Sequence, residues 1–516
     1  MPAVKLPRAA LLLLGLAVLG CLLALTHLMA LPAFEDEGTQ LRLMQRLLYA
    51  GEWLAPLGDG KPLEVWLMAP LASLAREPLW AIRAVHVLVG LGCVLLSYRL
   101  ARNLTGAACA ALAALLVAVC PFTVYLERLA LADIVLCAAG LGVLVSTLAY
   151  ARQPDRTRAT ALAAVLVLAG MAKLPVGFVF LGALPLALLL MPRERRPPRA
   201  TLTLLALGPA AVLALVVLAV ALARVGSGHA AGFGIQDLLG IGGGGSGDIA
   251  AAMHVARPDL WTELTAQLSA PLVALAIIGL LACARLHGWQ HRWLILAGLI
   301  PMLAIGLLPR FWYSRYLLFT LPPLIVASLC GWVALWERLA RLRPALLAAV
   351  LLAVGFMSVQ SARLIIDPAT ARWSDVDRFQ YIEGWTSGYG YPEAADYLRA
   401  AHPTLMIYAL DGHSAEQLLT YLPQSWRAQV HTALYADDGS TLQTAAARLD
   451  HLLAHSPFWI IAPAQLLARS LRATAGAGAE QALHVSELQL FDKPGQRGAL
   501  GIYTAVAAAP PAAHPH

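Results

Sequence analysis

The feature that most constrains this chain is a series of about eleven apolar stretches, each near the roughly 20 residues a helix needs to cross the hydrocarbon core of a bilayer. They fall at 9–31, 79–98, 106–125, 131–150, 160–176, 177–191, 201–223, 269–284, 293–308, 317–335 and 345–362. The fifth and sixth are short and divided only by Lys173-Leu174-Pro175. Composition agrees: of 516 residues, 59% are hydrophobic and 13% charged, where a soluble domain carries about 25% charged residues. The expected fold class is a polytopic α-helical membrane protein. Lys5 and Arg8 ahead of the first stretch imitate a signal peptide. That stretch is too long for a signal core and lacks a clear small-residue cleavage site, so it reads as a retained helix.

Orientation follows from lysine and arginine. Alternate loops hold Arg99 and Arg102; Arg152, Arg156 and Arg158; Arg193, Arg195, Arg196 and Arg199; Arg285 and Arg292; and Arg338, Arg341 and Arg343. With eleven spans these loops share one side with Lys5 and Arg8, and that side is cytoplasmic by the positive-inside rule. The net charge of +7 is accounted for by these loops and argues for topology, not for nucleic-acid binding. The seven cysteines lie in or beside apolar spans without metal-ligand spacing and read as small core residues.

The expected domains are a membrane domain over 1–362 and an outer α/β domain over 363–516. Within the first, 32–78 is a polar outer loop carrying one or two surface helices. A second outer loop, 224–268, contains Gly240-Ile241-Gly242-Gly243-Gly244-Gly245-Ser246-Gly247. The glycines match G-x-G-x-x-G in form, but no strand precedes them and no Lys-Ser/Thr follows, so a flexible loop fits better than a nucleotide site. His229 and His254 are lone residues there, and the terminal His514 and His516 do not suggest a metal site. In the outer domain, 405–410 and 459–462 read as strands and 415–421 and 441–454 as helices. The runs 488–491 and 502–506 flank a Lys493-Pro494-Gly495 turn and suggest a hairpin. The Ala-Pro-His end is expected to be disordered.

Four groups of polar residues face the outer side under this topology. They are Asp36-Glu37 with Glu35 before them; Lys61 in Gly60-Lys61-Pro62; Glu127-Arg128 with Asp133; and Arg310, Arg315 and Tyr316 around span ten. Cations at a lipid boundary suit a phosphate ester, and group transfer from it needs a carboxylate to take the nucleophile's proton. Plainer readings stand beside each. Asp133 and Arg128 could form a structural ion pair, Arg315-Tyr316 could anchor at the interface, and Lys173 could snorkel from a helix end.

The ordered set resembles a family. The sequence Asp36-Glu37, Gly51-Glu52-Trp53-Leu54-Ala55-Pro56, Gly60-Lys61-Pro62 and Trp66 looks like the GT-C glycosyltransferases that use polyprenyl-phosphate sugars. The branch is that of protein O-mannosyltransferases and lipid A aminoarabinose transferases. The likeness covers about residues 1–335, including Tyr98-Arg99-Leu100-Ala101-Arg102-Asn103-Leu104-Thr105-Gly106, Leu129-Ala130-Leu131-Ala132-Asp133, Lys173 and Arg315-Tyr316-Leu317-Leu318. The stretch from Asp377 to Gly390 looks like the junction in bacterial members that carry an outer domain.

The resemblance implies inverting transfer of a sugar from a polyprenyl-phosphate donor to an extracytoplasmic protein, lipid or polysaccharide, at a bacterial inner membrane and on its periplasmic side. It implies Asp36, Glu37 and Asp133 as catalytic carboxylates, and Lys61, Arg315 and Tyr316 as donor-phosphate ligands. Glu35, Arg128, Lys173 and Arg310 would support them. The chain departs in having Glu64 after Lys-Pro-Leu and Glu35 ahead of Asp36, which leaves open which carboxylate reacts. No cofactor beyond the lipid-linked sugar is implied, and metal dependence stays open. The competing class is a multispan lipid or solute transporter or flippase. No inverted repeat is evident, and the charges gather on one face. A structural membrane subunit would leave the outer constellation unexplained.

Overall fold

In the computed structural model, the residues described are 7–174, 176–196, 260–307, 313–401, 403–409, 412–432, 445–468, 482–495 and 498–508, with residues 205, 214, 218 and 471 singly. The span expected at 201–223, the Gly-rich run, Arg310, His229, His254 and the Ala-Pro-His end lie outside them, apart from those single residues. The chain divides into two compact units. The first comprises Met1–Ala30 and Leu43–Val376; the second comprises Leu31–Arg42 and Asp377–His516.

The first unit is helical. Its elements are α1 (Arg8–Leu23), the part of α2 (Glu35–Tyr49) from Leu43 onward, α3 (Ala55–Asp59), α4 (Pro62–Leu74), α5 (Pro78–Arg102), α6 (Ala107–Ala118), α7 (Pro121–Glu127), α8 (Ala132–Arg152), α9 (Arg156–Ala172) and α10 (Ala183–Leu190). They continue with α11 (Leu260–Leu268), α12 (Ala270–Leu286), α13 (Trp289–Leu307), α14 (Leu321–Arg338) and α15 (Arg343–Ile366). The loop read at 32–78 thus carries three helices, α2 to α4. Among the described residues, four helices are long and apolar enough to cross a membrane, or six if two bent pairs each count as one span. Those pairs are α6 with α7, bent by 57°, and α11 with α12, bent by 108°. Several other stretches of the eleven form apolar helices too short for that measure, including α1, and Val176–Leu190.

The shortening of the first stretch has a visible cause. α1 stops at Leu23 instead of running to 31. The guanidinium of Arg128 donates to the carbonyls of Ala24 (2.6 Å), Thr26 (2.7 Å) and His27 (2.6 Å), and also to Ile365 (3.3 Å). Arg83, fully buried, donates to Leu28 at 2.7 Å. These carbonyls are committed to side chains, and His27 turns to φ 51°. The backbone can then leave the helix without orphaning its polar groups. Arg128 therefore acts as a structural clamp, and Asp133 is not its partner.

The second unit holds a five-stranded sheet in the order β2-β1-β3-β5-β4. The strands are β1 (Ile407–Ala409), β2 (Val430–Thr432), β3 (Phe458–Pro463), β4 (Leu483–Asp492) and β5 (Ala499–Ala507). β2, β1 and β3 are parallel, and β5 runs antiparallel to β3 and β4. Strand alternation splits the core in two. Ile407, Ala409, Ile461 and Ile502 pack with α16 (Tyr391–Ala401) and α17 (Gly412–Leu419). Tyr408, Phe458, Ile460 and Tyr503 pack with Leu452 of α18 (Ala445–Ala454). Both expected strands, both helices and the hairpin are present; β2 is an addition too short to carry a pattern. The boundary read at 362/363 falls at Val376/Asp377 by compactness. The residues between fold back on the first unit: Trp373 meets the Tyr125 ring at 5.2 Å, and the Arg372 carbonyl accepts from Gln360 at 2.6 Å.

Replacing Arg128 by methionine should leave its carbonyl partners dry, at about 1–3 kcal/mol for each that water cannot reach. We expect a clearly lower unfolding temperature in detergent. An unchanged transition would show that Arg128 does not clamp the fold.

Candidate active site

Lys61 and Lys173 meet through the backbone. Gly60 closes α3 in the left-handed conformation, φ 80°, which favours glycine. Its carbonyl accepts from the Leu174 N–H at 2.6 Å. A β-carbon at Gly60 would stand 2.9 Å from the Leu174 carbonyl oxygen, too close to fit. Lys61 and Lys173 are the chain neighbours of this contact. The Lys61 amine lies 3.3 Å from an Asp59 carboxylate oxygen, and the lysine keeps partial access to solvent.

Lys173, buried, donates to Asp133 at 2.6 Å. Asp133 sits in the first turn of α8, where the helix dipole favours a negative charge. The ammonium of Lys173 also stands 4.7 Å from the centre of the Tyr316 ring, close enough for a cation–π contact. Arg315 lies 4.8 Å from the Tyr313 ring centre and 5.8 Å from that of Tyr316. Tyr125 meets Ser314 at 2.9 Å, fixing the start of the 3-10 turn Ser314–Thr320. Asp133, Lys173, Arg315 and Tyr316 thus converge, and Lys61 joins by the backbone contact. Lys173 does not snorkel.

Glu64, the departure from the family pattern, is wholly buried and lies 3.1 Å from His86 Nε2. His86 Nδ1 meets the Ile82 carbonyl at 2.8 Å. A carbonyl only accepts, so Nδ1 carries a proton. The contact between Nε2 and the Glu64 oxygen then also holds one proton, and the pair is neutral as a whole. Glu127 packs its fully buried carboxyl against Gly90 of α5.

Asp36 and Glu37 belong to the second unit. Glu37 is fully buried, and its carboxylate accepts from the Phe34 N–H at 2.8 Å. This is the back-bond of a capping box at the start of α2. Glu35 and Asp36 are part-exposed at the same helix start. Asp36 therefore has the access that Glu37 lacks. Among the described residues, no group of three or more His, Cys, Asp or Glu is placed to hold a metal ion. No sequence signal points to the Glu64–His86 contact, since 22 residues separate the two.

Comparison with known proteins shows what the chain is similar to. Residues 59–223 match the family described as dolichyl-phosphate-mannose-protein mannosyltransferase. ArnT from Cupriavidus metallidurans in the apo state matches with a TM-score of 0.62 at 15% identity, covering 96% of this chain and 97% of that one. The same protein bound to undecaprenyl phosphate matches with a TM-score of 0.59 at 15% identity, with the same coverage. The oligosaccharyltransferase AglB from Archaeoglobus fulgidus, in complex with an inhibitory peptide and a dolichol-phosphate, matches at 0.54 and 11% identity, covering 98% and 75%. The chain shares its fold with these proteins. The resemblance read from the sequence holds in these terms: residues 59–223 match a mannosyltransferase family, and the fold is that of ArnT. No curated protein matches the chain.

The Asp133–Lys173 pair generates a prediction. Asp133→Asn and Lys173→Met should each destabilise the protein by about 3–5 kcal/mol, because each strands a buried charge. The double variant should recover much of that loss. Additive losses in detergent unfolding would show the two residues to be uncoupled.

Proposed function

We propose that this protein transfers a sugar from a polyprenyl-phosphate donor to an acceptor outside the cytoplasm, with inversion at the anomeric carbon. The observation that carries the reading is the convergence of Lys173, Arg315, Tyr316 and Asp133 beside Lys61 within the segment order of the matched family. Lys61 and Arg315 would hold the donor's phosphate by charge-assisted hydrogen bonds. Tyr316 would cover that anion, and the Asp133–Lys173 pair would fix the cations around it. ArnT and AglB in polyprenyl-phosphate complexes support the donor class. A sugar phosphate already has a good leaving group, so departure needs no strong acid. The acceptor hydroxyl or amine does need orienting and deprotonating, and one ionised carboxylate does both. Asp36 takes that role because it is accessible while Glu37 is spent on its helix start.

The basic loops support eleven spans, with the second unit on the periplasmic side of a bacterial inner membrane. A reporter fused after His516 should be active outside the cytoplasm and silent within it; cytoplasmic activity of a functional fusion would refute this topology.

Lys61→Ala and Arg315→Ala should each weaken undecaprenyl-phosphate binding by about 1.5–3 kcal/mol, the worth of a charged hydrogen bond. Calorimetry or thermal shift with that lipid reads the loss. Unaltered affinity in both would take them out of the donor site.

Asp36→Asn should keep the fold and lower transfer by roughly 10²–10⁴-fold. Mass spectrometry of surface glycans in a deletion strain carrying each variant reads the effect. Near-normal transfer by Asp36→Asn beside an inactive Glu35→Gln would move the role to Glu35. Full activity in both, and in Glu37→Gln, would sink the carboxylate-assisted glycosyl transfer.

A further inference from the structure

The start of α2 is held by residues that follow it in the chain by more than 340 positions. The Ala33 carbonyl accepts from Gln417 Nε2 at 3.1 Å, and the Ala33 N–H donates to the Tyr421 hydroxyl at 2.5 Å. The Glu35 N–H, adjacent to Asp36, donates to the Thr386 carbonyl at 3.3 Å. Gln417 donates to that same Thr386 carbonyl at 2.9 Å. The Phe34 and Tyr381 rings meet at 4.8 Å. Gly388 lies so close to Ala33 that a β-carbon there would overlap the Ala33 carbonyl. Asp36 thus stands on a platform whose other half is the 384–388 loop.

That loop has an anchor of its own. Lys493, at the tip of the β4–β5 hairpin, is buried, and its amine donates to the Gly384 and Ser387 carbonyls at 2.8 Å each. These two residues bracket Thr386. Burial pushes the Lys493 amine down to about 7, while the Glu35 charge pulls it back up. A neutral amine keeps two N–H donors, and two carbonyls receive them.

We propose that Lys493 is a positioning residue for Asp36. It fixes the 384–388 loop, and the loop fixes the helix start that presents the Asp36 carboxylate. The proposal rests on Asp36 being the acceptor-side carboxylate, and one arm of its test does not depend on that assignment.

The test uses full-length Lys493→Met in detergent, a change that keeps the side chain's length and removes its donors. Hydrogen exchange of the amides in 33–38 should quicken at least tenfold, with α18 and β3 unchanged. Exchange at wild-type rates in 33–38 would overturn the proposal. So would equal acceleration throughout the sheet, which would make Lys493 a general stabiliser. Should Lys493→Met fail to fold, Lys493→Gln keeps an N–H pair on a shorter arm and should show intermediate protection; wild-type exchange there would overturn the proposal equally.

The second arm measures transfer from undecaprenyl-phosphate mannose. Lys493→Met should lose between tenfold and a hundredfold, the scale of a small misplacement of a reacting group. Its affinity for undecaprenyl phosphate should stay the same. Combined with Asp36→Asn, it should add nothing to the loss from Asp36→Asn alone. Multiplied losses would overturn the proposal, because Lys493 would then act other than through Asp36. If Asp36→Asn were itself fully active, the assignment of Asp36 would fail, and the exchange arm alone would decide whether Lys493 holds the helix start.

Discussion

A buried cation must be met by oxygen, and in a chain this apolar each such meeting ties together segments far apart in sequence. Arg128 gathers carbonyls after α1 and at the end of α15. Arg83 takes another carbonyl from the same turn. Lys173 takes the Asp133 carboxylate across 40 residues. The Lys493 amine, which burial pushes towards its neutral form, likewise takes two carbonyls more than 100 residues earlier. Leaving the charge of Arg128, Arg83 or Lys173 dry and unmatched would cost several kcal/mol, a large part of a domain's net stability. The fold around each one is therefore restricted to arrangements that supply the oxygens.

This constraint separates two kinds of charged residue that look alike in sequence. Arg128 and Arg315 are both arginines beside apolar spans. Four carbonyls absorb the first, which leaves it a structural task. The second sits against two tyrosine rings in a cluster with Lys173 and Asp133. The acids divide in the same way. Glu37 caps its own helix, Glu64 shares a proton with His86, and Asp36 keeps access to solvent.

Much of the architecture was legible because the signals are local. Helices in the apolar stretches, the change of character before the sheet domain and the Lys493-Pro494-Gly495 hairpin all show in short windows of sequence. The ends of spans were less legible. α1 stops early because of Arg128 and Arg83, which lie beyond position 80 and leave no mark on the α1 sequence. β2 escaped notice because three residues are too few for an alternating pattern to declare itself.

By itself the sequence determined the apolar helical class, the presence of a mixed domain after the helices, and the set of acidic and cationic residues set among the apolar stretches. It did so because hydropathy, turn chemistry and motif order are properties of neighbouring residues. Only the tertiary structure decided the partners. It paired Asp133 with Lys173 instead of Arg128, gave Glu64 to His86, and placed Leu31–Arg42 in the same compact unit as the C-terminal domain. Those outcomes depend on which oxygens come within reach of a buried charge once the chain is folded, and no window of sequence contains that information.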